Sequence, residues 1–551
     1  MAFYFLRRPK TSALFVLLLL ALAIFGFSLN FGFVLDDESQ VVNNLYIHSL
    51  SNIFGAFTGS TMESLGAKRM AGVYYKPLMT VSYILLWAIS HEAWIFHAFQ
   101  LILHVLNSFL VFLFFVNIGK FSKFSFNPLL GFFAAVGFLV HPVNVEAVVY
   151  IADLQDILYS FFGLLALNFV ASYQGSRFKT ALYLGILLEC ALLSKESGVL
   201  YLLITGCFCA YFDRRKLKLW AYAVLGAGAL YMSLRLGLAD LNHGGTSSQM
   251  LRADLIDRLI SVPKIFFHYF VTFIFPKELA LVQDWVVKDF SISDFWLPLC
   301  VVLILLAAGK SLLRKRRDPI IFFFLAWFIL GMGAHSNLVP LDGTVADRWF
   351  YFPLVGLLGV MGFYFNEVIH TNGFPKNRKL GKLNNKYEKS RARNQGISIL
   401  VASIILLVWS GRSFARTLDW KTALLLYQHD LKLLPDSFYL QNNVGVELFR
   451  IGDTTGALGY FQRSTELFPG WNVSWTNLGS AHEKLGNIEE AERCFKRSVD
   501  NGPSTLGYQN YASLLLKLDK KAELKTFMEE HALPNFPDNP IFKEFYGQSL
   551  H

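Results

Sequence analysis

TSALFVLLLLALAIFGFS, residues 11–28, is an almost wholly apolar run, and eight residues past its end stand three consecutive acids, Asp36-Asp37-Glu38. A bilayer-crossing α-helix needs about 20 mostly apolar residues, and this run has nearly that length. The whole chain has the same character. Of its 551 residues, 54% are hydrophobic, 53 are Phe and only 16% are charged, against about 25% charged in a soluble domain. A soluble enzyme is thereby excluded, and a polytopic all-α membrane bundle is expected. Arg7, Arg8 and Lys10 precede the first run as they would a signal peptide. No small-x-small cleavage site follows convincingly, so the run is read as a retained first span.

Eleven runs meet the spanning criterion, near 11–28, 94–118, 128–145, 151–172, 178–194, 197–212, 217–236, 294–311, 319–334, 349–368 and 397–411. The net charge is +10, but the basic residues gather in short loops: Arg7/Arg8/Lys10, Lys120/Lys123, Arg177/Lys179, Arg214/Arg215/Lys216/Lys218, Arg314 to Arg317, and 376–393. That is a topology signal, with these loops in the cytoplasm, and not a nucleic-acid footprint. Parity then makes 259–275 a re-entrant or interfacial helix and 77–90 an amphipathic helix in the outer interface. Asp36, Asp37, Glu38, His141, Lys195 and the 335–348 loop all fall on the outer side, as does the C-terminal region. Five cysteines, Cys190, Cys207, Cys209, Cys300 and Cys494, show neither a disulfide framework nor metal-ligand spacing.

The last ~115 residues repeat with a period of 34: Asn443/Asn477, Gly445/Gly479, Gly452/Gly486, Ala457/Ala491, Phe461/Phe495 and Pro469/Pro503. Trp475-x-x-Leu478-Gly479-x-x-His482, then Ala491-x-x-x-Phe495 and Pro503, is the tetratricopeptide pattern with His in the usual Tyr place. The expected domains are a membrane part at 1–411, a linker with a leading helix at 412–436, and repeats at 437–551. The repeats divide into 437–470, 471–504 and a degraded capping unit at 505–531. Such stacks offer concave surfaces to peptides or proteins.

Several constellations carry chemistry. Asp36-Asp37-Glu38 fits a general base drawn from a partly desolvated carboxylate, a solvated loop, or an Mg²⁺ or Mn²⁺ site; the residues alone do not separate these. His97, Gln100, His104 and Asn107 form one polar helical stripe, either a pocket wall or interhelical hydrogen bonding. His141-Pro142 and Glu146 end one span, and Asp153 and Asp156 open the next, as a turn or as part of a site. Lys195-Glu196 is a local ion pair or offers Lys195 to a phosphate. Asp347-Arg348 precedes a span, where the Arg348 fork suits phosphate oxygens, and Lys76 is a further cation. Together they offer acids, imidazoles and cations to a substrate with a phosphate leaving group and a hydroxyl nucleophile.

With these residues in view, the chain resembles the multi-span glycosyltransferases of the C-type fold, and more closely the transmembrane, tetratricopeptide-containing O-mannosyltransferases and their bacterial relatives. The matching pieces are Phe33-Val-Leu-Asp36-Asp37, Tyr75-Lys76-Pro77-Leu78, Phe96-His97 with His104 and Asn107, and His141-Pro142-Val143 with Glu146-Ala147-Val148. Asp156-Ile-Leu, Leu193-Ser194-Lys195-Glu196 and Ala346-Asp347-Arg348-Trp349 with Tyr351 and Pro353 continue the series. The resemblance implies transfer of a sugar, mannose or another hexose, from a polyprenyl-phosphate carrier to a protein Ser/Thr hydroxyl outside the cytoplasm. It implies inversion with Asp36 or Asp37 as base, and Lys76, Lys195 and Arg348 at the donor phosphate. It also implies a pocket containing Glu38, His97, His104, Asn107, His141, Glu146, Asp156, Glu196 and Asp347. No cofactor is expected, a divalent metal being the less favoured alternative. The partners are the lipid-linked donor, membrane lipid and an acceptor docked by the repeats, with no nucleic acid. The pattern departs at Lys76, where the family commonly has Arg, and at Leu154, where it commonly has Arg. Two good repeats favour a bacterial relative in a plasma membrane; a eukaryotic one would lie in the endoplasmic reticulum. A lipid or glycan acceptor, a non-catalytic scaffold and a transporter are the competing readings.

Overall fold

The computed structural model describes residues 9–58, 75–122, 127–238, 249–281, 283–316, 319–371 and 381–550. Arg7, Arg8, Lys123, Arg317 and 376–380 of the basic loops lie outside them, as do the side chains of 381–393. The described chain is helical, with an isolated antiparallel bridge between Gln283 and Val345. It divides into two compact units, Met1–Lys421 and Thr422–His551.

In the first unit, all eleven expected runs are helical. Seven are long and apolar enough to cross a membrane: Lys10–Asn30, Ala93–Phe121, Ile151–Ser172, Arg214–Leu236, Ile292–Ser311, Asp347–Asn366 and Ile399–Asp419. An eighth candidate is broken: Pro128–Val140 and Pro142–Val149 meet at 49°. Pro142 has no N–H to give the preceding turn, so the helix stops at His141. Two of the remaining runs, Glu196–Phe212 and Pro319–Ala334, are short apolar helices, and Arg177–Ser194 carries Arg177, Lys179 and Glu189. Pro77–Ile89 is likewise short and apolar. Leu255–Ile274 is one continuous helix with Pro263 inside it, burying Ser261, Ile265, Tyr269, Thr272 and Phe273 along one stripe. That is an amphipathic pattern, and the helix makes no re-entrant turn.

Aromatic side chains fill the interior of this unit. Trp327 is fully buried, with Phe114, Phe323, Phe324, Tyr201 and Phe352 around it at ring distances of 5.2–6.2 Å. Helices Pro319–Ala334 and Tyr351–Thr371 cross closely at Gly356, where a Cβ would meet the Phe328 backbone nitrogen at 2.6 Å. Overpacking of this kind costs about 1–3 kcal/mol, which is why the position is Gly.

The second unit is a stack of paired helices. Phe438–Arg450 pairs with Thr454–Leu467, Asn472–Lys484 with Ile488–Asp500, and Thr505–Lys517 with Lys521–Phe527. A Cβ on Gly445 would meet Phe461 at 2.6 Å, and one on Gly479 would meet Phe495 at 2.6 Å, so each repeat pairs a small residue with a ring. Gly452 (φ +92°) and Gly486 (φ +81°) turn the first two pairs, and Asp519 (φ +55°) turns the third. The stretch 412–436 is not a separate linker. Residues up to Asp419 continue the long helix Gly381–Asp419 of the first unit, and Trp420 is buried there. Helix Ala423–Leu433, capped by Thr422, packs on Phe438–Arg450 in the second unit.

Candidate active site

The first loop fixes its two aspartates differently. Asp37 is fully buried. Its Oδ2 accepts the Val34 N–H at 3.0 Å and its Oδ1 the Ala152 N–H at 2.7 Å. Burial pushes its carboxyl well above the ordinary range, and those two N–H donors pull it back. Asp37 therefore clamps the loop to the 150s. Asp36 is exposed. Its N–H donates to the Tyr150 hydroxyl at 3.3 Å, and the residue before it, Leu35, sits at φ +56°. Left-handed backbone is costly for a branched side chain and gathers at functional sites. Glu38 opens a π turn over Glu38–Val42 and is half-buried.

A shell of charge surrounds the start of helix Leu154–Ser172. Glu146 accepts the Arg348 N–H at 2.9 Å and also pairs with its guanidinium. Arg348 Nε lies 3.8 Å from Asp153 Oδ1. Lys195 Nζ donates to both Asp156 oxygens, at 2.7 and 2.6 Å. Glu196 pairs with Arg235 at 2.7 Å, which also donates to the Tyr231 hydroxyl at 2.7 Å. Lys76 is buried at the start of helix Pro77–Ile89. Burial drops its ammonium to about 8, with Glu196, Asp156 and Asp153 favouring the charged form and Lys195 opposing it. His335 is held to about 4, chiefly by burial, and stacks on Trp349 at 5.5 Å. Tyr150 bridges the two groups. Burial, Asp36 and Asp37 push its phenol up while Arg348 draws it down.

The structure thus gathers Asp36, Asp37, Lys76, Glu146, Asp156, Lys195, Glu196 and Arg348 around the loop at 146–156. Asp347 is buried in the turn Asp347–Phe350 beside them. The polar stripe is placed in packing. His104 bonds Tyr351 Oη at 2.9 Å and Leu139 O at 3.0 Å. Asn107 donates to Ile157 O and Tyr351 Oη, and Gln100 to the carbonyls of Ala147 and Tyr150. His97 is buried under the first loop, edge-on to Phe31 and against the Gly32 backbone. His141 caps the helix break: its Nδ1 accepts the Val143 N–H at 3.2 Å, and its ring stacks on Phe273. Sequence reading missed Tyr150 and Arg235. Arg235 had a signal, a lone cation in the last turn of an apolar helix.

The helices that end in this shell also form a groove. Arg177–Ser194, which leads to Lys195, and Leu217–Leu238, which carries Arg235, enclose an apolar cleft of ≈ 400 Å³ lined by Leu182, Ile186, Tyr222, Gly226 and Leu230. Glu189 lies at its wall, 7% exposed, with both carboxyl oxygens unpartnered among the described residues.

Comparison with known proteins agrees with this anatomy. The tetratricopeptide repeat family model matches residues 473–502. The human Protein O-mannosyl-transferase TMTC3 is 23% identical over 88% of this chain and 54% of its own length. Protein O-mannosyl-transferase F38B6.6 of Caenorhabditis elegans is 24% identical over 83% of this chain and 63% of its own. The human Protein O-mannosyl-transferase TMTC2 is 29% identical over 36% of this chain and 24% of its own. This chain spans about half the length of the human TMTC3 protein. It is a membrane protein with tetratricopeptide repeats, similar along most of its length to proteins named protein O-mannosyl-transferase.

Proposed function

We propose that the chain is a membrane glycosyltransferase that moves a hexose from a polyprenyl-phosphate carrier to a protein Ser or Thr hydroxyl on the non-cytoplasmic face. The observation that carries this reading is one exposed acid, Asp36, set beside a shell of cations. The Asp36 carboxylate takes the proton from the acceptor hydroxyl. The hydroxyl oxygen attacks the anomeric carbon from the face opposite the phosphate. The bond from that carbon to the phosphate oxygen breaks, and the polyprenyl phosphate leaves with the electron pair. Lys76, Lys195 and Arg348, joined by Arg235, meet the charge that develops there. Asp37 keeps the loop in place and does not take the proton. The apolar cleft leading up to Lys195 and Arg235 takes the carrier's hydrocarbon chain, and membrane lipid covers it. No step runs through a metal.

The test is sugar transfer by purified protein in lipid, with a panel of polyprenyl-phosphate hexoses and a Ser/Thr-rich peptide pool, run with and without chelator. Transfer lost in Asp36→Asn and indifferent to chelator supports the reading. Silence with every donor from folded protein overturns the peptide acceptor and shifts weight to a lipid or glycan acceptor. Deleting 422–551 separates those two: peptide transfer fails while turnover of a small hydroxyl acceptor survives.

A further inference from the structure

The end of the last long helix lies beside Tyr150. Helix Gly381–Asp419 packs on the short helix Val145–Val149, and Trp420, the residue after its end, is 1% exposed. The Trp420 N–H donates to Thr417 O at 3.2 Å and turns the chain there, shortly before the second unit opens at Thr422. Its indole lies against the Tyr150 ring, with centroids 5.3 Å apart and planes inclined at 33°. The Arg416 guanidinium lies 5.9 Å from the centre of the Trp420 ring and 3.5 Å from the Asp419 carboxylate. The indole N–H meets no acceptor among the described residues, so Trp420 contributes its ring here rather than a hydrogen bond.

Tyr150 is itself held from several sides. It is buried. Its carbonyl accepts Gln100 Nε2 at 2.7 Å and the Asp153 N–H at 3.1 Å. Its hydroxyl accepts the Asp36 N–H at 3.3 Å and faces the Asp36 carboxylate as a donor. One phenol thus touches the exposed acid at both its backbone and its side chain. The Asp36 carbonyl is tied within its own turn, to the Gln40 N–H at 2.8 Å and the Ser39 hydroxyl at 3.0 Å. The bond to Tyr150 is of another kind: it joins the loop to a residue 114 positions away in the chain.

A carboxylate on an exposed loop turns freely about its side-chain bonds, whereas a general base works only within hydrogen-bond reach of the proton it takes. A site that is to act without delay therefore needs its base held by groups that are themselves held. We propose that Tyr150 and Trp420 are positioning residues for Asp36. The Tyr150 hydroxyl fixes the loop and the direction of the carboxylate, and the Trp420 ring fixes Tyr150. Neither touches the reacting atoms. The base is thus supported from the end of the last span, at the point in the chain where the repeats follow. The inference rests on the reading of Asp36 as the base.

The experiment takes two readouts on full-length protein in lipid nanodiscs. The first is residue-resolved hydrogen exchange over 33–42, with neither donor nor acceptor present. Tyr150→Phe keeps the ring on Trp420 and removes the hydroxyl, so exchange at the Asp36 amide should quicken by about two- to tenfold, the worth of one neutral hydrogen bond. The Asp37 amide, which donates to Val34 O, should not change. The second readout is steady-state transfer to a Ser/Thr-rich peptide. Tyr150→Phe should lower kcat by about ten- to hundredfold and leave KM for the donor within about twofold. Trp420→Leu should do the same, and Trp420→Phe, which keeps a ring, should recover most of the rate. In the Asp36→Asn background neither Tyr150→Phe nor Trp420→Leu should slow the residual rate further, because both act through the carboxylate. Unaltered exchange in Tyr150→Phe, or losses that multiply with that of Asp36→Asn, would overturn the proposal. Full transfer by Asp36→Asn would remove the base reading and the proposal with it, and the exchange result tells that failure from a failure of the link.

Discussion

Asp36 and Asp37 are chemically identical and adjacent, yet their replacement should produce opposite phenotypes. Asp37→Ala removes the acceptor for two buried N–H groups, those of Val34 and Ala152. An orphaned buried donor costs about 1–3 kcal/mol, so the pair costs about 2–6 kcal/mol. Asp37→Asn keeps one carbonyl oxygen and turns an amide NH₂ toward the other donor, for a loss of about 1–3 kcal/mol. Asp36 is exposed, and its backbone N–H bond to Tyr150 survives the change, so Asp36→Asn should leave stability within about 0.5 kcal/mol. If its carboxylate is the base, the same change lowers kcat by about 10²–10⁴-fold. The assay pairs a thermal unfolding scan in lipid with peptide glycosylation for all three variants. Asp36→Asn should retain its Tm and lose transfer. The Asp37 variants should lose Tm first, with Asp37→Asn recovering part of its activity at low temperature. An active Asp36→Asn beside an inactive Asp37→Asn of undiminished Tm would refute the assignment and transfer the base role to Asp37.

Lys76 is cationic below about pH 8 and neutral above it, so the KM for the lipid-linked donor should rise as pH passes through that value. Lys76→Arg, which stays charged, should flatten the profile. Arg348→Ala leaves Glu146 buried without its cation, and breaking a buried pair in this way costs about 3–5 kcal/mol; a fall in Tm measures it. Arg348→Lys keeps the charge but not the fork, and should retain more stability than activity. A Cβ on Gly226 would meet nothing within 4 Å, so Gly226→Leu grows into the apolar cleft without unfolding the chain. It should raise KM for a long-chain carrier and leave a short-chain donor unaffected.

How much of this was legible in the sequence follows from the range of each interaction. Apolar runs and the 34-residue period are local patterns, and both were readable. Most span ends could be placed to within a few residues; the exceptions are His141-Pro142, where the proline announced a break that a hydropathy window averaged away, and the last run, expected at 397–411, whose helix continues to Asp419. The third repeat was harder because Asp519 replaces the turn glycine and the step from Gly486 shortens to 33 residues, out of register with a fixed period. The site was legible as an inventory but not as a set of partners. Glu146 meets Arg348 across 202 residues, and Asp37 meets Ala152 across 115; no local spacing encodes such pairs. Nor does the sequence distinguish Asp36 from Asp37. The difference lies in the turn after the left-handed Leu35, where Asp36 stays exposed and Asp37 faces inward to two N–H groups.

The pairing of each cation with an acid has its own physical logic. Lys195, Arg235 and Arg348 are largely withdrawn from water, and a withdrawn charge without a partner costs several kcal/mol. Asp156, Glu196 and Glu146 offset that cost and hold each cation in one orientation. On the proposed mechanism, the donor phosphate therefore meets a site already formed, and shares cations that acids have positioned. Such a site stabilises charge as it appears on the leaving phosphate without first reorganising solvent. It also explains why acids outnumber what general-base chemistry needs: Glu146, Asp156 and Glu196 are tied to cations and Asp37 to two backbone N–H groups, which on this mechanism leaves the exposed Asp36 to take the proton.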